Sequence, residues 1–591
     1  MHQQGPTWRH DGVAALLIVC VAAMLLWRAD QIGPTVDEPF HLIRGLAWWW
    51  TDSTKLSYAH PPLANLLQAL PAALGHAPVE LTTLPGWTTS DHAAMAEELF
   101  ARDYETIRPM LMLGRLVTSA LTVLFAAAVY LWTSRRLGAW VGLLALVLVG
   151  FNPTVLAHGQ LFTTDLPVTF AIFGVFATFV DYLSPRRSGR AWPFVNLVVF
   201  ALCMAAALGT KFTSVGLIPV LGITGIVWAA LGWGRFSGRD AGAGLPSTPP
   251  LGVRLLRVAS EMVFVAALCL LAIAALYRFQ DMFLTPAQML ALPEPQCHLT
   301  DDFADQFLEG RWLINALPKH LPLPVPYTWL FGLEMVRFHG GQGHSSWMLG
   351  ITYGWGNPAY FPALLLLKTP PVILLGVLLA AIRGIRQRRL PGVEVGMALL
   401  IGGFLLGLLM MSQLNIGVRH ALPVAVLFSL IAALALVRTT QEAFARRGRL
   451  AVITAVALIL TVPAAAVWNA GRYLPYFNIG RAGYLVSIVG EDWGQDSIFV
   501  ADAIREHGMR PVTYVSYGIG SGPEVQHQGV KPYIIGCGEP YIRRGWIIAH
   551  RAQVQRWPHC VRGLGQLPPT LVLHDNLWAW DVSSTLPSKP R

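Results

Sequence analysis

Long apolar runs alternate with short polar connections along most of the chain. A helix needs roughly 20 mostly apolar residues to cross about 30 Å of hydrocarbon, and about eleven runs approach this length. The runs cover residues 12–27, 110–134, 138–156, 163–183, 193–209, 212–232, 255–278, 361–382, 393–411, 420–437 and 450–467. The pattern therefore predicts a polytopic α-helical membrane protein with about 11 transmembrane helices.

Two long polar loops interrupt the apolar runs, at about 28–109 and 279–360. The first loop contains two amphipathic stretches, 40–50 and 62–74. Such stretches are typical of helices that lie in the membrane interface. We therefore expect the first loop to pack against the membrane surface.

The tail that follows the last apolar run has a different pattern. Strand-like runs at 511–517, 546–550 and 570–574 alternate with a polar helix at 498–507. This alternation predicts a small soluble α/β domain. We accordingly divide the chain into a transmembrane domain, 1–467, and a soluble domain, 468–591.

Arginines concentrate in every second short connection between the runs. Cytoplasmic loops of membrane proteins carry an excess of Lys and Arg, so these connections are predicted to be cytoplasmic. The arginines are Arg135, Arg136, Arg186, Arg187, Arg190, Arg235, Arg239, Arg254, Arg383, Arg386, Arg388, Arg389, Arg438, Arg446, Arg447 and Arg449. The pattern predicts a multi-pass protein of the inner (plasma) membrane, with a cytoplasmic N-terminus and extracytoplasmic long loops and tail.

Composition agrees with this assignment. Of the 591 residues, 54% are hydrophobic and 13% are charged, and the mean hydropathy is +0.49. The net charge of +10 lies largely in the arginine-rich connections, where it sets topology, so nucleic-acid binding is not predicted. The run 12–27 lacks a small-residue cleavage site, and we interpret it as a retained span.

The six cysteines are scattered, without a CxxC pair or any metal-ligand spacing. A zinc or iron–sulfur site is therefore not predicted. Cys297, Cys537 and Cys560 lie in the predicted outer segments, where a disulfide is chemically allowed. Cys537 with Cys560 is the candidate pair.

Two adjacent carboxylates, Asp37 and Glu38, follow the first span. Charged groups at a membrane surface are costly, and an aspartate beside an acceptor hydroxyl can act as a general base. Acids also favour helix N-termini, so both residues could instead cap a helix that begins at Pro39. The spacing alone leaves both interpretations open.

Asp165, Lys211 and Arg419 lie at the predicted outer ends of spans, Arg115 lies near the outer end of the second span, and Lys368 lies inside the eighth apolar run. Cations stabilise charge that grows on a leaving phosphate, so a phosphate at the outer leaflet would account for the basic residues. A helix cap is the alternative for Asp165. Snorkelling to lipid head groups is the alternative for the basic residues.

Several motifs in these segments occur together in one known superfamily. They are Asp37-Glu38, His41, His60-Pro61-Pro62-Leu63, Phe151-Asn152-Pro153 before Asp165, Leu208 to Thr213 around Lys211, Tyr360-Phe361-Pro362, Leu367-Lys368-Thr369-Pro370, Asn415 to His420 and Asp492-Trp493-Gly494-Gln495-Asp496. The set resembles the GT-C glycosyltransferases, and within them the protein O-mannosyltransferases and lipid A aminoarabinose transferases (glycosyltransferase family 39), in a bacterial branch. The resemblance covers nearly the whole chain.

The resemblance implies an inverting glycosyltransferase that moves a sugar from a polyprenyl phosphate to an acceptor outside the membrane. Asp37 would be the catalytic base, and Glu38 would help to hold the acceptor. The donor and its phosphate would be bound by Asp165, Lys211, Arg419, His60, Arg115 and Lys368, with His41 and His420 as further candidates. No cofactor is required, and a divalent metal is left open.

The implied partners are a polyprenyl-phosphate-linked sugar, a lipid, glycan or protein acceptor, and membrane lipids. O-mannosyltransferases usually continue the HPPL run into Gly-Lys, where this chain has Ala64-Asn65. A protein acceptor is therefore not supported by this motif. Two other hypotheses are a lipid-linked sugar flippase or transporter, and a non-catalytic envelope assembly protein with the same fold.

Overall fold

The computed structural model describes residues 8–27, 29–185, 192–236, 248–292, 311–388, 391–480, 492–539, 544–561, 563–574 and 576–583. The first half contains α1 (Trp8–Leu26), α2 (Glu38–Trp50), α3 (Leu63–Gly75), α4 (His92–Arg102), α5 (Tyr104–Leu137), α6 (Ala139–Gly150), α7 (Pro153–Gly159), α8 (Asp165–Leu183), α9 (Trp192–Leu208), α10 (Leu217–Leu231) and α11 (Leu251–Leu276).

The second long loop contains α12 (Pro286–Ala291), α13 (Trp312–Ala316), α14 (Tyr327–Gln342) and a hairpin of β1 (Ser346–Met348) and β2 (Ile351–Tyr353). The helices that follow are α15 (Tyr360–Lys368), α16 (Pro371–Gln387), α17 (Val393–Met411), α18 (Leu422–Arg447) and α19 (Arg449–Trp468). The tail contains α20 (Val500–Glu506), β3 (Val512–Val515), α21 (Ser521–His527), β4 (Tyr533–Ile535), β5 (Trp546–His550), α22 (Arg551–Arg556), β6 (Leu571–Leu573) and β7 (Leu577–Asp581).

Eight helical segments among the described residues are long and apolar enough to cross a membrane. Two further pairs, α6 with α7 and α15 with α16, qualify together but are bent by 62° and 113°. The run predicted at 193–209 forms the shorter apolar helix α9. Each predicted run thus coincides with a helix or a bent pair, and the polytopic helical architecture is confirmed.

The two bends have a common cause in proline. Pro153 begins α7, where Asn152 Oδ1 caps the helix by accepting from the Thr154 amide at 3.0 Å. Pro370 and Pro371 have no amide hydrogen, so α15 cannot continue through them. The Thr154 hydroxyl donates to the Lys368 carbonyl at 3.2 Å. The two breaks therefore lie together at one end of the bundle.

Helix α18 lies at the centre of the bundle, where it packs against α6, α8, α16, α17 and α19. Of its most apolar window, 83% is buried. On α5, by contrast, Leu116, Leu124 and Leu131 are exposed. Apolar side chains on the outside of a bundle are expected where lipid, not water, is the surrounding solvent.

The first long loop forms α2, α3 and α4. The amphipathic stretches predicted at 40–50 and 62–74 correspond to α2 and α3, which pack closely together. Gly45 lies at their crossing, where a Cβ atom would be 2.4 Å from the Asn65 carbonyl oxygen and 2.5 Å from Ala69 Cβ. The loop is shorter than predicted, because α5 already begins at Tyr104.

The predicted α/β domain in the tail is confirmed as a five-stranded sheet of order β4-β3-β5-β7-β6. Strand β3 is parallel to β4 and β5, and β7 is antiparallel to β5 and β6. The prediction missed β4, which at three residues is too short to show a periodicity, and β7. Cys537 and Cys560 form a disulfide, whereas Cys297 lies outside the described residues.

The close crossing of α2 and α3 predicts that Gly45→Ala destabilises the protein. Overpacking a tight contact costs about 1–3 kcal/mol, which outweighs the intrinsic gain of about 1 kcal/mol for Ala over Gly in a helix. Thermal unfolding in detergent measures the effect. Gly75→Ala is the matched control, because nothing lies within 4 Å of its added Cβ. Equal unfolding temperatures for the two variants would contradict the packing account.

Candidate active site

Asp37 lies immediately before α2, in the turn that connects it to α1. It occupies the N-cap position, but its side chain makes no capping hydrogen bond. Arg419 Nη1 instead donates to Asp37 Oδ2 at 2.9 Å. The Asp37 side chain is 33% exposed, whereas that of Arg419 is 7% exposed. Asp37 therefore stands at the helix N-terminus without forming the capping hydrogen bond, and its carboxylate is partly exposed.

Glu38 is fully buried and has a different environment. Arg115 binds both of its carboxylate oxygens, with Nε to Oε1 at 2.8 Å and Nη2 to Oε2 at 2.6 Å. The amides of Thr35 and Phe162 donate to the same carboxylate at 2.9 and 2.8 Å. Burial disfavours the charged carboxylate, but Arg115 and the two amides outweigh burial and lower the pKa of Glu38.

Arg115 also holds the backbone that precedes Asp37. Its Nη1 donates to the Ile32 carbonyl at 2.7 Å, and its Nη2 donates to the Gly33 carbonyl at 2.8 Å. The Arg115 side chain is 4% exposed. These contacts lie within the protein and favour a positioning role for Glu38 and Arg115, with the loop 32–38 fixed against α5.

Asp165, at the start of α8, forms a buried ion pair with Lys211. Lys211 Nζ lies 2.6 Å from Asp165 Oδ1. The Asp165 carboxylate also interacts electrostatically with Arg419, His420 and His158. The structure thus brings together acids and bases from five separate segments of the sequence at one end of the bundle.

Two of the candidate histidines lie against each other beside this pair. His41 Nδ1 is 2.9 Å from Asn65 Oδ1, and the His41 and His60 rings are 5.2 Å apart. Burial, with a smaller contribution from Arg44, lowers the pKa of His41 to about 3. Burial also holds the pKa of His60 well below its usual value. Both imidazoles are therefore neutral and available as hydrogen-bonding groups.

Several buried polar atoms around Asp165 have no hydrogen-bond partner among the described residues. They are His60 Nδ1, Asn65 Nδ2, His158 Nδ1, Thr163 Oγ1, Arg419 Nε and His420 Nε2. Buried polar groups are normally paired, so a cluster of unpaired ones is a place for a polar ligand or water. The sequence analysis missed His158, although it lies between two quoted motifs, Phe151-Asn152-Pro153 and Asp165.

Lys368 is buried at the end of α15. Its Nζ donates to the Leu474 carbonyl at 2.7 Å and lies 4.6 Å from the centre of the Phe477 ring. The Lys368 charge also acts on His158. Lys368 therefore belongs to the same end of the bundle, where it also fixes the chain after α19.

The described residues contain one cluster with the geometry of a three-ligand metal site: Cys537, His559 and Cys560. Its two cysteines are joined as the disulfide, and a disulfide sulfur is not the thiolate that binds zinc. The candidate active site therefore does not coincide with this cluster, and a role for a divalent metal stays open.

No family model matches the sequence, and no curated protein sequence matches it. Solved structures do match. The Saccharomyces cerevisiae protein O-mannosyltransferase Pmt1-Pmt2 complex bound to the sugar donor has a TM-score of 0.50 and 11% identity, over 80% of this chain and 91% of that chain.

One bacterial structure and one archaeal structure are also similar to this chain. ArnT from Cupriavidus metallidurans bound to undecaprenyl phosphate has a TM-score of 0.46 and 14% identity, over 97% of this chain and 99% of that chain. The Archaeoglobus fulgidus oligosaccharyltransferase has a TM-score of 0.47 and 14% identity, over 88% of this chain and 65% of that chain. The Pmt1-Pmt2 complex is a GT-C glycosyltransferase, and the fold that it shares with this chain confirms the GT-C fold implied by the sequence motifs.

The buried pair predicts that Glu38→Gln strongly destabilises the protein. Breaking a buried ion pair costs about 3–5 kcal/mol, because the partner, here Arg115, is left as an uncompensated charge. The lowered pKa of Glu38 stabilises the fold above the unfolded pKa, and this contribution is lost as the pH falls through the folded value. The variant should therefore unfold at a lower temperature and lose less stability on acidification.

Glu98→Gln is the control, because Glu98 and Arg102 form an exposed pair on one helix face. Such pairs contribute about 0.3–0.5 kcal/mol. Thermal unfolding of both variants, from pH 8 to well below the ordinary Glu pKa of about 4.3, measures the difference. An equally small effect of the two substitutions would refute the role given to the Glu38–Arg115 pair.

Proposed function

We propose that the protein is an inverting glycosyltransferase, which moves a sugar from a polyprenyl-phosphate donor to an acceptor at the extracytoplasmic side of the membrane. The observation that carries the proposal is the partly exposed Asp37 carboxylate, oriented by Arg419. It lies at the same end of the bundle as the buried Asp165–Lys211 pair. The shared fold with the Pmt1-Pmt2 complex, a transferase bound to its sugar donor, supports the reaction class.

Asp37 is the general base in this reaction. Arg419 binds its Oδ2 atom, and Oδ1 has no hydrogen-bond partner among the described residues. Oδ1 accepts the proton of the acceptor group as the acceptor oxygen or nitrogen attacks the anomeric carbon. The bond from this carbon to the donor phosphate breaks at the same time, and its electron pair goes to the phosphate. A single displacement of this kind inverts the anomeric centre.

Lys211 and Arg419 stabilise the leaving polyprenyl phosphate. Both cations are largely buried, and in a site of low dielectric a cation stabilises developing negative charge more strongly than in water. Arg419 Nε has no partner among the described residues and is a free donor for a phosphate oxygen. The imidazoles of His60, His158 and His420 supply further hydrogen-bonding groups for the donor.

The orientation of the protein follows from its arginines. The site residues lie at one end of the bundle, and Arg136 and Arg383 lie towards the opposite ends of α5 and α16. By the positive-inside rule, that opposite end faces the cytoplasm. The site and the C-terminal domain are therefore extracytoplasmic, where a lipid-linked sugar is the available donor. The geometry of the site favours neither a flippase nor a non-catalytic assembly protein.

The first test of the function replaces the base. Asp37→Asn keeps the size of the side chain but cannot accept the proton, and loss of general-base catalysis costs about 100- to 10,000-fold in rate. Transfer of labelled sugar from a polyprenyl-phosphate donor into envelope acceptors, in membranes with equal protein level, measures the loss. Asp30→Asn, an exposed acid before the same turn, is expected to retain full activity. Full residual transfer by Asp37→Asn would rule out Asp37 as the base.

A second test addresses the phosphate. Replacing Lys211 alone leaves Asp165 buried and unpaired, so Lys211→Gln is combined with Asp165→Asn to preserve the net charge. Loss of a charge-assisted contact of about 1.5–3 kcal/mol predicts a rise of about 10- to 100-fold in the donor KM. Inhibition by free polyprenyl phosphate should weaken by a similar factor. An unchanged donor KM together with an unchanged inhibition constant for free polyprenyl phosphate would show that Lys211 does not bind the donor phosphate.

A further inference from the structure

A short segment of the C-terminal domain, 492–497, lies against the loop that contains Asp37. Two backbone hydrogen bonds join them, from the Gly33 amide to the Gln495 carbonyl and from the Val36 amide to the Trp493 carbonyl, both at 2.9 Å. Val36 directly precedes Asp37. The backbone of the proposed base is therefore paired to a segment more than 450 positions later in the chain.

Side chains do not fit at two glycines, Gly33 in the Asp37 loop and Gly494 in the segment 492–497. A Cβ atom at Gly33 would be 2.6 Å from Ser497 Oγ and 2.7 Å from the Gln495 carbonyl oxygen. Gly494 has a φ of +88°, and a Cβ atom there would be 2.5 Å from the Tyr517 carbonyl oxygen. Glycine at position 33 lets the two backbones approach within hydrogen-bonding distance, whereas glycine at position 494 lets the segment pack closely against its own domain.

The segment is fixed to its own domain by two buried acids. Asp492 Oδ1 lies 2.8 Å from His550 Nδ1, and Asp492 Oδ2 accepts from the Ala552 amide at 3.1 Å. Asp496 Oδ2 accepts from Asn576 Nδ2 at 2.8 Å. His550 and Asn576 lie on the sheet and directly before its strand β7, respectively. The residues between the two acids are thus held by the domain core.

Trp493 lies between these anchors and is 1% exposed. The Arg419 guanidinium lies over its ring, with 3.9 Å between Arg419 Cζ and the ring centre. The same guanidinium donates to Asp37 Oδ2. A cation over an aromatic face is held in place by the negative charge of that face. The Trp493 ring therefore fixes Arg419, the partner of Asp37. The Trp493 carbonyl fixes the backbone at Val36, beside Asp37.

We propose that Trp493 is a positioning residue for the sugar-transfer reaction, through which the C-terminal domain holds Asp37 and Arg419 in their reactive arrangement. The inference rests on the proposed function of Asp37 as the base. Trp493 itself touches no reacting atom. It acts on the rate of the chemical step, because misplacing a base by about 1 Å costs up to about 100-fold.

The test compares three variants of the full-length protein. Trp493→Leu removes the aromatic face, and Trp493→Phe keeps one. Trp580→Leu is the matched control, because Trp580 is 3% exposed and packs in the core of the same domain. For each variant, kcat and the donor KM of sugar transfer are measured, together with hydrogen–deuterium exchange of a peptide that covers residues 30–40.

We expect Trp493→Leu to lower kcat by about 10- to 100-fold. Its donor KM should change little, and exchange of the 30–40 peptide should be faster. Trp493→Phe should restore kcat to within a few-fold of the wild-type value, because Phe retains a face for the cation. Trp580→Leu should leave kcat and the exchange of this peptide unchanged. Wild-type kcat in Trp493→Leu, or an equal loss in Trp580→Leu, would overturn the inference.

The exchange measurement separates this inference from the proposed function. If the wild-type protein transfers no sugar, the proposed function fails. Faster exchange in Trp493→Leu would then still support Trp493 as the residue that holds the Asp37 loop. Unchanged exchange would overturn that role as well.

Discussion

The buried ion pair between Glu38 and Arg115 is the interaction on which the rest of the site depends. Four hydrogen bonds to one carboxylate tie together the start of α2, helix α5 and the turn before α8. Arg115 extends this network to the backbone before Asp37. An unpaired charge at this depth is costly, so the pair and its surroundings form together. The adjacent Asp37 lies on the loop that these contacts hold, with its side chain partly exposed.

Asp37 and Glu38 are adjacent in the sequence, but their side chains lie in different environments. Both carboxylate oxygens of Glu38 accept hydrogen bonds from the protein, whereas Asp37 accepts one from Arg419 through Oδ2 alone. The Asp37 loop is held by Arg115 of α5 and by the segment of the C-terminal domain around Trp493. A base that is held by the backbone contacts of its loop and by one hydrogen bond to Oδ2 retains a free oxygen for the acceptor. In this arrangement the Asp37 carboxylate is held in place and can still accept a proton.

Much of the fold was predictable from the sequence, because hydropathy is a local property and each apolar run became a helix or a bent pair. Asp37, Asp165, Lys211 and Arg419 were predicted as site residues from their positions beside the apolar runs, and the structure places them at one end of the bundle. Which charged residues pair with each other was not predictable. Glu38 and Arg115 are 77 positions apart in the sequence, and Asp37 and Arg419 are 382 positions apart. Nor did the sequence reveal the stacking of Arg419 on a tryptophan of another domain.

The central claim is that this end of the bundle transfers a sugar and does not merely move a lipid. The most direct measurement uses the purified protein in liposomes, with a labelled polyprenyl-phosphate sugar and an extract of envelope acceptors. We expect that one polyprenyl phosphate is released for each sugar that is transferred, and that the configuration at the anomeric carbon is inverted. Movement of intact donor between the leaflets, with no release of polyprenyl phosphate, would contradict the central claim.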